Sequence, residues 1–168
     1  VEELPEESAE LRANYYAVVS LCDDLLGRLL DEFDAHDMWR DTALVVTTDH
    51  GFLLGEHDFW AKNRMNMYEE IVHIPLFVHD PRDPRAGRVD RLTQSTDIAP
   101  TMLDFWDIPP PAEVMGRSVL RDNDREAMIF GYFGGAVNVT DGRTSYHRFP
   151  DSIPDQEIYQ YTLMPTHI

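Results

Sequence analysis

Residues 43–48, ALVVTT, form a short β-rich run in which apolar and polar positions do not alternate. Such a run reads as a strand covered on both faces. The stretch in front of it tightens that constraint. From Ser8 to Asp34, Leu11, Tyr15, Val18 or Val19, Cys22, Leu25, Leu26, Leu29, Leu30 and Phe33 recur at helical spacing. Ser8 is placed to cap this helix, and Glu10, Arg12, Asp23, Asp24, Arg28 and Asp31 mostly fill the opposite face. Cys22 falls on the apolar stripe and reads as a buried, unreactive thiol. A long helix leading straight into a covered strand predicts an α/β layer.

Further along, Ile74 to His79 reads as a second strand, with Pro75 near its start, where a missing N–H is easiest to tolerate. Asp80 to Arg91, with two prolines, one glycine and alternating charges, reads as an exposed connection. Ser95 and Thr96 open another helix that keeps Pro100 in its first turn and ends before Pro109, Pro110 and Pro111. Beyond Arg121 the texture changes. Ala127 to Phe133 predicts a strand, and Ala136 to Thr140 with Thr144 to Phe149 flank an Asp141–Gly142 turn, a strong hairpin signal. The chain therefore divides into an α/β part over 1–120 and a small antiparallel sheet that starts within 121–168.

Composition removes several functions. At 168 residues the chain can bury one sizeable core. Its 31 acidic against 14 basic residues give a net charge of −17, the wrong sign for a phosphate backbone or an anionic membrane surface. Nucleic acid and membrane are not expected partners. The apolar runs Ala43 to Val46 and Ile74 to Val78 fall far short of the roughly 20 residues a membrane span needs. A single cysteine excludes an internal disulfide framework and a thiolate zinc cluster within the chain. The first ten residues hold five glutamates, no basic residue and no methionine, and read as an internal cut rather than a signal peptide.

The chemistry concentrates in residues 47–62, TTDHGFLLGEHDFWAK, which leave the covered strand directly. Functional groups in open α/β sheets gather beyond the carboxyl ends of strands, where loops converge on a crevice. Asp49 and His50 stand at that edge, and a carboxylate oxygen with an imidazole nitrogen is a competent metal pair. Neighbouring residues of a regular strand face opposite ways, so both reach one ion only if the extended geometry breaks, which Gly51 permits. The plainer alternative is that Asp49 caps a turn and His50 is a hydrogen-bonded loop histidine. Two residues cannot complete a metal site in either case.

Lys62 is the only lysine beside thirteen arginines, which hints at a place that takes a compact ammonium rather than a planar guanidinium. An ammonium about 4 Å from a substrate oxygen gains roughly 4 kcal/mol at an effective dielectric near 20, useful for neutralising developing negative charge. Chance or simple surface placement is the other reading. His57 reads as a support that donates or accepts a hydrogen bond, Trp60 and Tyr68 as wall aromatics, and Arg64 as an anion holder or a bridge between carboxylates. His36, His73, His79, His147 and His167 have no metal-motif spacing and read as structural or surface residues.

The strand followed by TTDHGFLLGEHDFWAK and then MYEEIVHIPLFVHDP resembles the sulfatase family of the alkaline phosphatase superfamily. YYAVVSLCDDLLGRLL, STDIAPTMLDFWDI and MGRSVL agree in order with weaker pieces of the same family. The resemblance implies an alkaline-phosphatase-like sheet with helices. It places Asp49 and His50 on the family's late pair of divalent-metal ligands and Lys62 on the lysine that contacts sulfate. It further implies calcium as the cation, although a histidine is a softer ligand than calcium usually takes, which leaves manganese or magnesium as alternatives. The family nucleophile is a formylglycine made in a CxPxR or SxPxR motif, and neither motif occurs here, Cys22 being followed by Asp23 and Asp24.

The expectation is therefore a fragment of a sulfuric ester hydrolase, inactive alone, whose missing N-terminal part supplies the nucleophile. Its substrate would be a small-molecule or carbohydrate sulfate ester. The alternatives are a phosphodiesterase or phosphonate monoester hydrolase of the same superfamily and a stand-alone, non-catalytic acidic interaction domain. A cut-out half would also self-associate through apolar surface normally covered.

Overall fold

The computed structural model describes residues 5–62, 66–122, 124–131 and 135–149. They group into two compact units, one within 1–89 and the other within 90–168.

The first unit opens with helix α1, Pro5–Ala35. Proline is tolerated in a first turn, so the helix begins upstream of Ser8, which lies inside it and is not its cap. A short turn at Met38–Arg40 leads into β1, Leu44–Thr47, then the two-residue strands β2, Leu53–Leu54, and β3, Trp60–Ala61. The four-residue helix α2, Glu69–Val72, precedes β4, Leu76–His79. β1 and β4 pair antiparallel from Leu44↔His79 to Thr47↔Leu76. β2 and β3 pair as Leu53↔Ala61 and Leu54↔Trp60. The core of this unit is Phe33, Leu53, Leu54, Met67 and Ile71.

Two expectations are corrected here. β1 alternates between half-buried and exposed positions, and Val45, Phe77 and Val78 reach solvent, so the β1–β4 pair is not covered on both faces among the described residues. The apolar stripe of α1 is likewise open: Leu11, Val18, Leu25 and Leu29 are exposed, and Cys22 is an exposed thiol rather than a buried one. Burial needs a second surface, and the described residues provide one along only part of the helix. Phe33 packs on Trp39 with ring centroids 4.8 Å apart, and Tyr15 stacks on Phe52 at 5.7 Å.

In the second unit a turn at Ser95–Asp97 runs into helix α3, Ile98–Phe105, with Pro100 in its first turn. Gln94 and Asp97, rather than Ser95 or Thr96, form the reciprocal cap. Asp97 is fully buried and accepts hydrogen bonds from Arg125 at 2.5 and 2.7 Å and from the Arg117 N–H at 2.8 Å. Burial pushes its carboxyl up, yet the Arg125 hydrogen bonds, the Arg117 and Gln94 N–H groups and the Arg125 charge hold it below the usual aspartate range.

Strands β5, Met128–Gly131, β6, Val137–Thr140, and β7, Ser145–Arg148, make a three-stranded antiparallel sheet in that order. Residues 132 and 133 of the expected strand lie outside the described residues. Four residues, 141–144, separate the paired Thr140 and Ser145. Gly142 takes the left-handed φ of 85° there, and the Asp141 carboxylate accepts the N–H groups of Arg143 and Thr144 at 2.8 and 2.7 Å.

Candidate active site

β1 ends at Thr47, whose hydroxyl donates to the Pro75 carbonyl at 2.8 Å and fastens the strand end to the approach of β4. Past that point the chain is no longer extended, and Asp49 and His50 turn toward one another. Asp49 Oδ2 lies 3.1 Å from His50 Nε2. Asp49 Oδ1 accepts the His50 N–H at 3.0 Å and the Thr48 hydroxyl at 3.3 Å, so the turn-capping role open from the sequence is also filled.

His50 Nδ1 is 2.8 Å from the Gly51 carbonyl, which can only accept. That contact assigns the proton to Nδ1 and leaves a lone pair at Nε2, which also lies beside the Asp49 carboxylate. Two lone-pair-bearing atoms in such contact need a cation beside them. Lys62 supplies it: its half-buried Nζ donates to His50 Nε2. Desolvation by neighbouring atoms pushes the exposed Asp49 carboxyl up, but His50, the backbone N–H groups of Asp49 and His50, and Lys62 together hold it below the usual value.

The route that returns Lys62 to this corner is the β2–β3 hairpin. Leu53 and Leu54 are buried and anchor one arm, and the Leu53↔Ala61 pairing sets Lys62 back toward Phe52 and the His50 end of the loop. The connection between the arms is strained: Gly55, His57, Asp58 and Ala61 have φ of 101°, 58°, 62° and 75°. Left-handed conformations at three non-glycine residues persist only where surroundings dictate them. Here the Gly55 N–H donates to Phe59 O at 3.0 Å, and the Leu54 N–H donates to the Glu56 carboxylate at 2.5 Å. Gly51 serves a different purpose from the one its position suggests. Its N–H donates to Ile71 O at 2.8 Å, and a Cβ there would lie 1.7 Å from the Glu70 carbonyl oxygen, so close approach to α2 is what requires glycine.

Asp49, His50 and Lys62 thus come together. His57 stands apart from them, with Nε2 3.1 Å from Glu70 Oε1 and its ring stacked on Tyr68 at 3.8 Å between centroids. Trp60 carries the Arg12 guanidinium 5.6 Å from its ring centre. Arg64 and His167 lie outside the described residues. His36 pairs with Glu32, His73 with Glu69, and His79 Nε2 with the Trp39 carbonyl. Glu70 and Arg12 were not singled out from the sequence as site residues, Arg12 being placed on the solvated face of its helix.

A carboxylate oxygen and an imidazole nitrogen of this kind fit two ligands of a divalent cation, and the Lys62 ammonium that occupies the His50 Nε2 lone pair here would have to withdraw from it when a cation binds. Among the described residues no group of three or more His, Cys, Asp or Glu could hold a metal, so further donors must join them. The described helices include none long and apolar enough to cross a membrane.

Comparison with known proteins places these residues in context. The Sulfatase family model matches residues 1–108. The chain is 36% identical over 115 residues to arylsulfatase K of Gallus gallus, covering 68% of this chain and 21% of that protein. It is 36% identical over 107 residues to an N-acetylglucosamine-6-O-sulfatase of Bacteroides thetaiotaomicron, covering 63% and 19%. It is also 34% identical over 116 residues to the multifunctional alkaline phosphatase superfamily protein PehA of Trinickia caryophylli, covering 68% and 22%. The solved structure of BT4656 in complex with its substrate D-glucosamine-2-N,6-O-disulfate superposes with a TM-score of 0.65 at 26% identity, covering 82% of this chain and 31% of that one. The chain spans about a fifth of the length of the curated relatives it matches.

Proposed function

This chain belongs to the sulfatase family, and from that premise we propose that it is the later part of the α/β core of a sulfuric ester hydrolase. In this reading residues 1–120 belong to the core and 121–168 begin an antiparallel subdomain. Asp49 and His50 hold one side of a divalent cation, and Lys62 contacts the sulfate. The observation that carries the reading is the convergence of Asp49 Oδ2, His50 Nε2 and Lys62 Nζ at the end of β1.

The family generally uses a divalent cation, which when bound neutralises charge on the reacting ester. Calcium suits the carboxylate, while the neighbouring imidazole is softer than calcium usually takes and leaves manganese or magnesium as alternatives. The chain's own residues do the rest. The Gly51 carbonyl fixes the His50 tautomer so that Nε2 keeps its lone pair. Lys62, a compact cation on a hairpin arm, meets oxygens that gain negative charge. The chain has neither a CxPxR nor an SxPxR motif, so the formylglycine nucleophile is assigned to residues outside these 168. The fragment alone is inactive.

A carbohydrate sulfate ester is the substrate class, supported by the sulfated glucosamine held by BT4656. Phosphonate monoester or phosphodiester hydrolysis is the second reading, favoured by the similarity to PehA. The test is hydrolysis by the full-length enzyme of an aryl sulfate beside an aryl phosphonate and an aryl phosphodiester. Preference for the sulfate supports the first reading; preference for either phosphorus ester overturns it in favour of the second.

A further inference from the structure

Besides its own internal hydrogen bonds, the loop that delivers Lys62 makes contacts with residues outside itself, and two of these come from residues with no assigned part in the site. On one side, Glu70 on α2 accepts from His57 Nε2 at 3.1 and 3.3 Å, while Tyr68 stacks flat on the same ring, the planes 11° apart. The backbone of that short helix also receives the Gly51 N–H at Ile71 O. One turn of helix therefore grips both the Asp49–His50 segment and the hairpin tip. On the other side, Arg12 Nε on α1 donates to the Leu54 carbonyl at 2.8 Å, and its guanidinium lies over Trp60, two residues before Lys62.

We propose that Glu70 and Arg12 are positioning residues that clamp the 55–61 loop from two sides and so fix the hairpin arm that carries Lys62 beside the Asp49–His50 pair. The proposal deepens the sulfatase reading and rests on it for the role of Lys62, although the clamp itself is a statement about this chain alone. His57 and Ala61 have left-handed φ, and the loop relaxes toward ordinary backbone when an external anchor goes. Relaxation begins at His57 or Trp60 and ends at Lys62, because Ala61, the last strained residue, is its immediate neighbour. Glu70 acts through His57 and Arg12 through Trp60; neither side chain touches the metal pair in this arrangement.

Lys62 is the sole lysine, so acylation by an amine-directed N-hydroxysuccinimide ester, followed by peptide mass spectrometry, reads one side chain cleanly. The protein is compared with Glu70→Ala, Glu70→Gln and Arg12→Ala, each checked for native circular dichroism. Losing one anchoring hydrogen bond of ordinary net strength should speed Lys62 acylation about threefold to tenfold in Glu70→Ala and Arg12→Ala. Glu70→Gln, which keeps an acceptor for His57, should return the rate to within about twofold of the parent. A general loss of stability would not be rescued by so small a change. Unchanged acylation in folded Glu70→Ala and Arg12→Ala overturns the clamp, as does Glu70→Gln reacting as fast as Glu70→Ala. Should Glu70→Ala fail to fold, Arg12→Ala and Glu70→Gln decide the matter. Failure of the sulfatase reading shows elsewhere, as aryl sulfate hydrolysis by the full-length enzyme that is indifferent to Lys62→Ala while the acylation pattern holds.

Discussion

Adding one methyl group at Gly51 or at Gly27 should move stability in opposite directions. At Gly51 an ideal Cβ lies 1.7 Å from Glu70 O, 2.8 Å from Glu70 C and 3.1 Å from Ile71 Cα. All three neighbours are backbone, so no rotamer change relieves the overlap. The loop has to retreat by more than about an ångström, since carbon and oxygen do not pack within roughly 3 Å. That retreat forfeits the 2.8 Å Gly51 N–H···O=C Ile71 hydrogen bond, about 1 kcal/mol, and adds overpacking strain of about 1–3 kcal/mol. The total of roughly 2–4 kcal/mol corresponds to a fall of about 5–15 °C in Tm for a protein of this size. Gly27 lies within α1 with nothing inside 4 Å of its added Cβ. There alanine only reduces backbone freedom in the unfolded chain and favours helix, a gain of about 0.5–1 kcal/mol. Thermal and urea unfolding followed by circular dichroism measure both. A Gly51→Ala variant that melts within about a degree of the parent would refute the close-approach argument, because no strain of the stated size would then exist.

Asp97→Ala should cost about 3–5 kcal/mol by leaving the Arg125 guanidinium buried without its carboxylate, read from urea midpoints. The Asp97 carboxyl is held below its ordinary value, so its share of stability is present above the unfolded aspartate range and is lost as pH falls through the lowered value. The parent should therefore lose stability on acidification more steeply than Asp97→Ala, and equal slopes would contradict the assignment. The isolated chain should self-associate through the open stripe of α1, and Leu25→Glu, at a position 50% exposed, should shift sedimentation velocity toward monomer. A monomeric parent would remove that expectation.

Much of the local structure was legible because it is written in short-range pattern. The 3.6-residue recurrence marked α1 to within three residues at its start and one at its end. Pro100 in the first turn of α3 and the Asp141–Gly142 turn obeyed backbone rules that need no tertiary knowledge. Coverage was not legible. The ALVVTT run carries the composition of a doubly covered strand, but burial depends on what packs against it, and β1 pairs antiparallel with one face open. Cys22 illustrates the same limit, an apolar-stripe position that faces solvent.

Of the proposed site residues, Asp49 and His50 stood out because residue type and strand-end position point to chemistry, and Lys62 because it is the one lysine beside thirteen arginines and matches the family's sulfate-contacting lysine. Glu70 and Arg12 did not, since their partners lie 13 and 42 residues away and nothing in MYEE or in a polar helix face announces a distant anchor. The strained φ values at His57, Asp58 and Ala61 are equally invisible in the sequence, because non-glycine residues adopt them only under tertiary constraint.

The central claim is the proposal that Asp49 and Lys62 serve sulfate-ester hydrolysis in a longer enzyme of which this chain is one part. Its most direct test is kcat/KM for an aryl sulfate in the full-length enzyme, with Lys62→Ala and Asp49→Ala measured beside the parent under saturating calcium or manganese. The account predicts a fall of about a hundredfold or more for each variant, the scale on which a preorganised electrostatic contact acts in a transition state. Hydrolysis at the parental rate in both folded variants would contradict it.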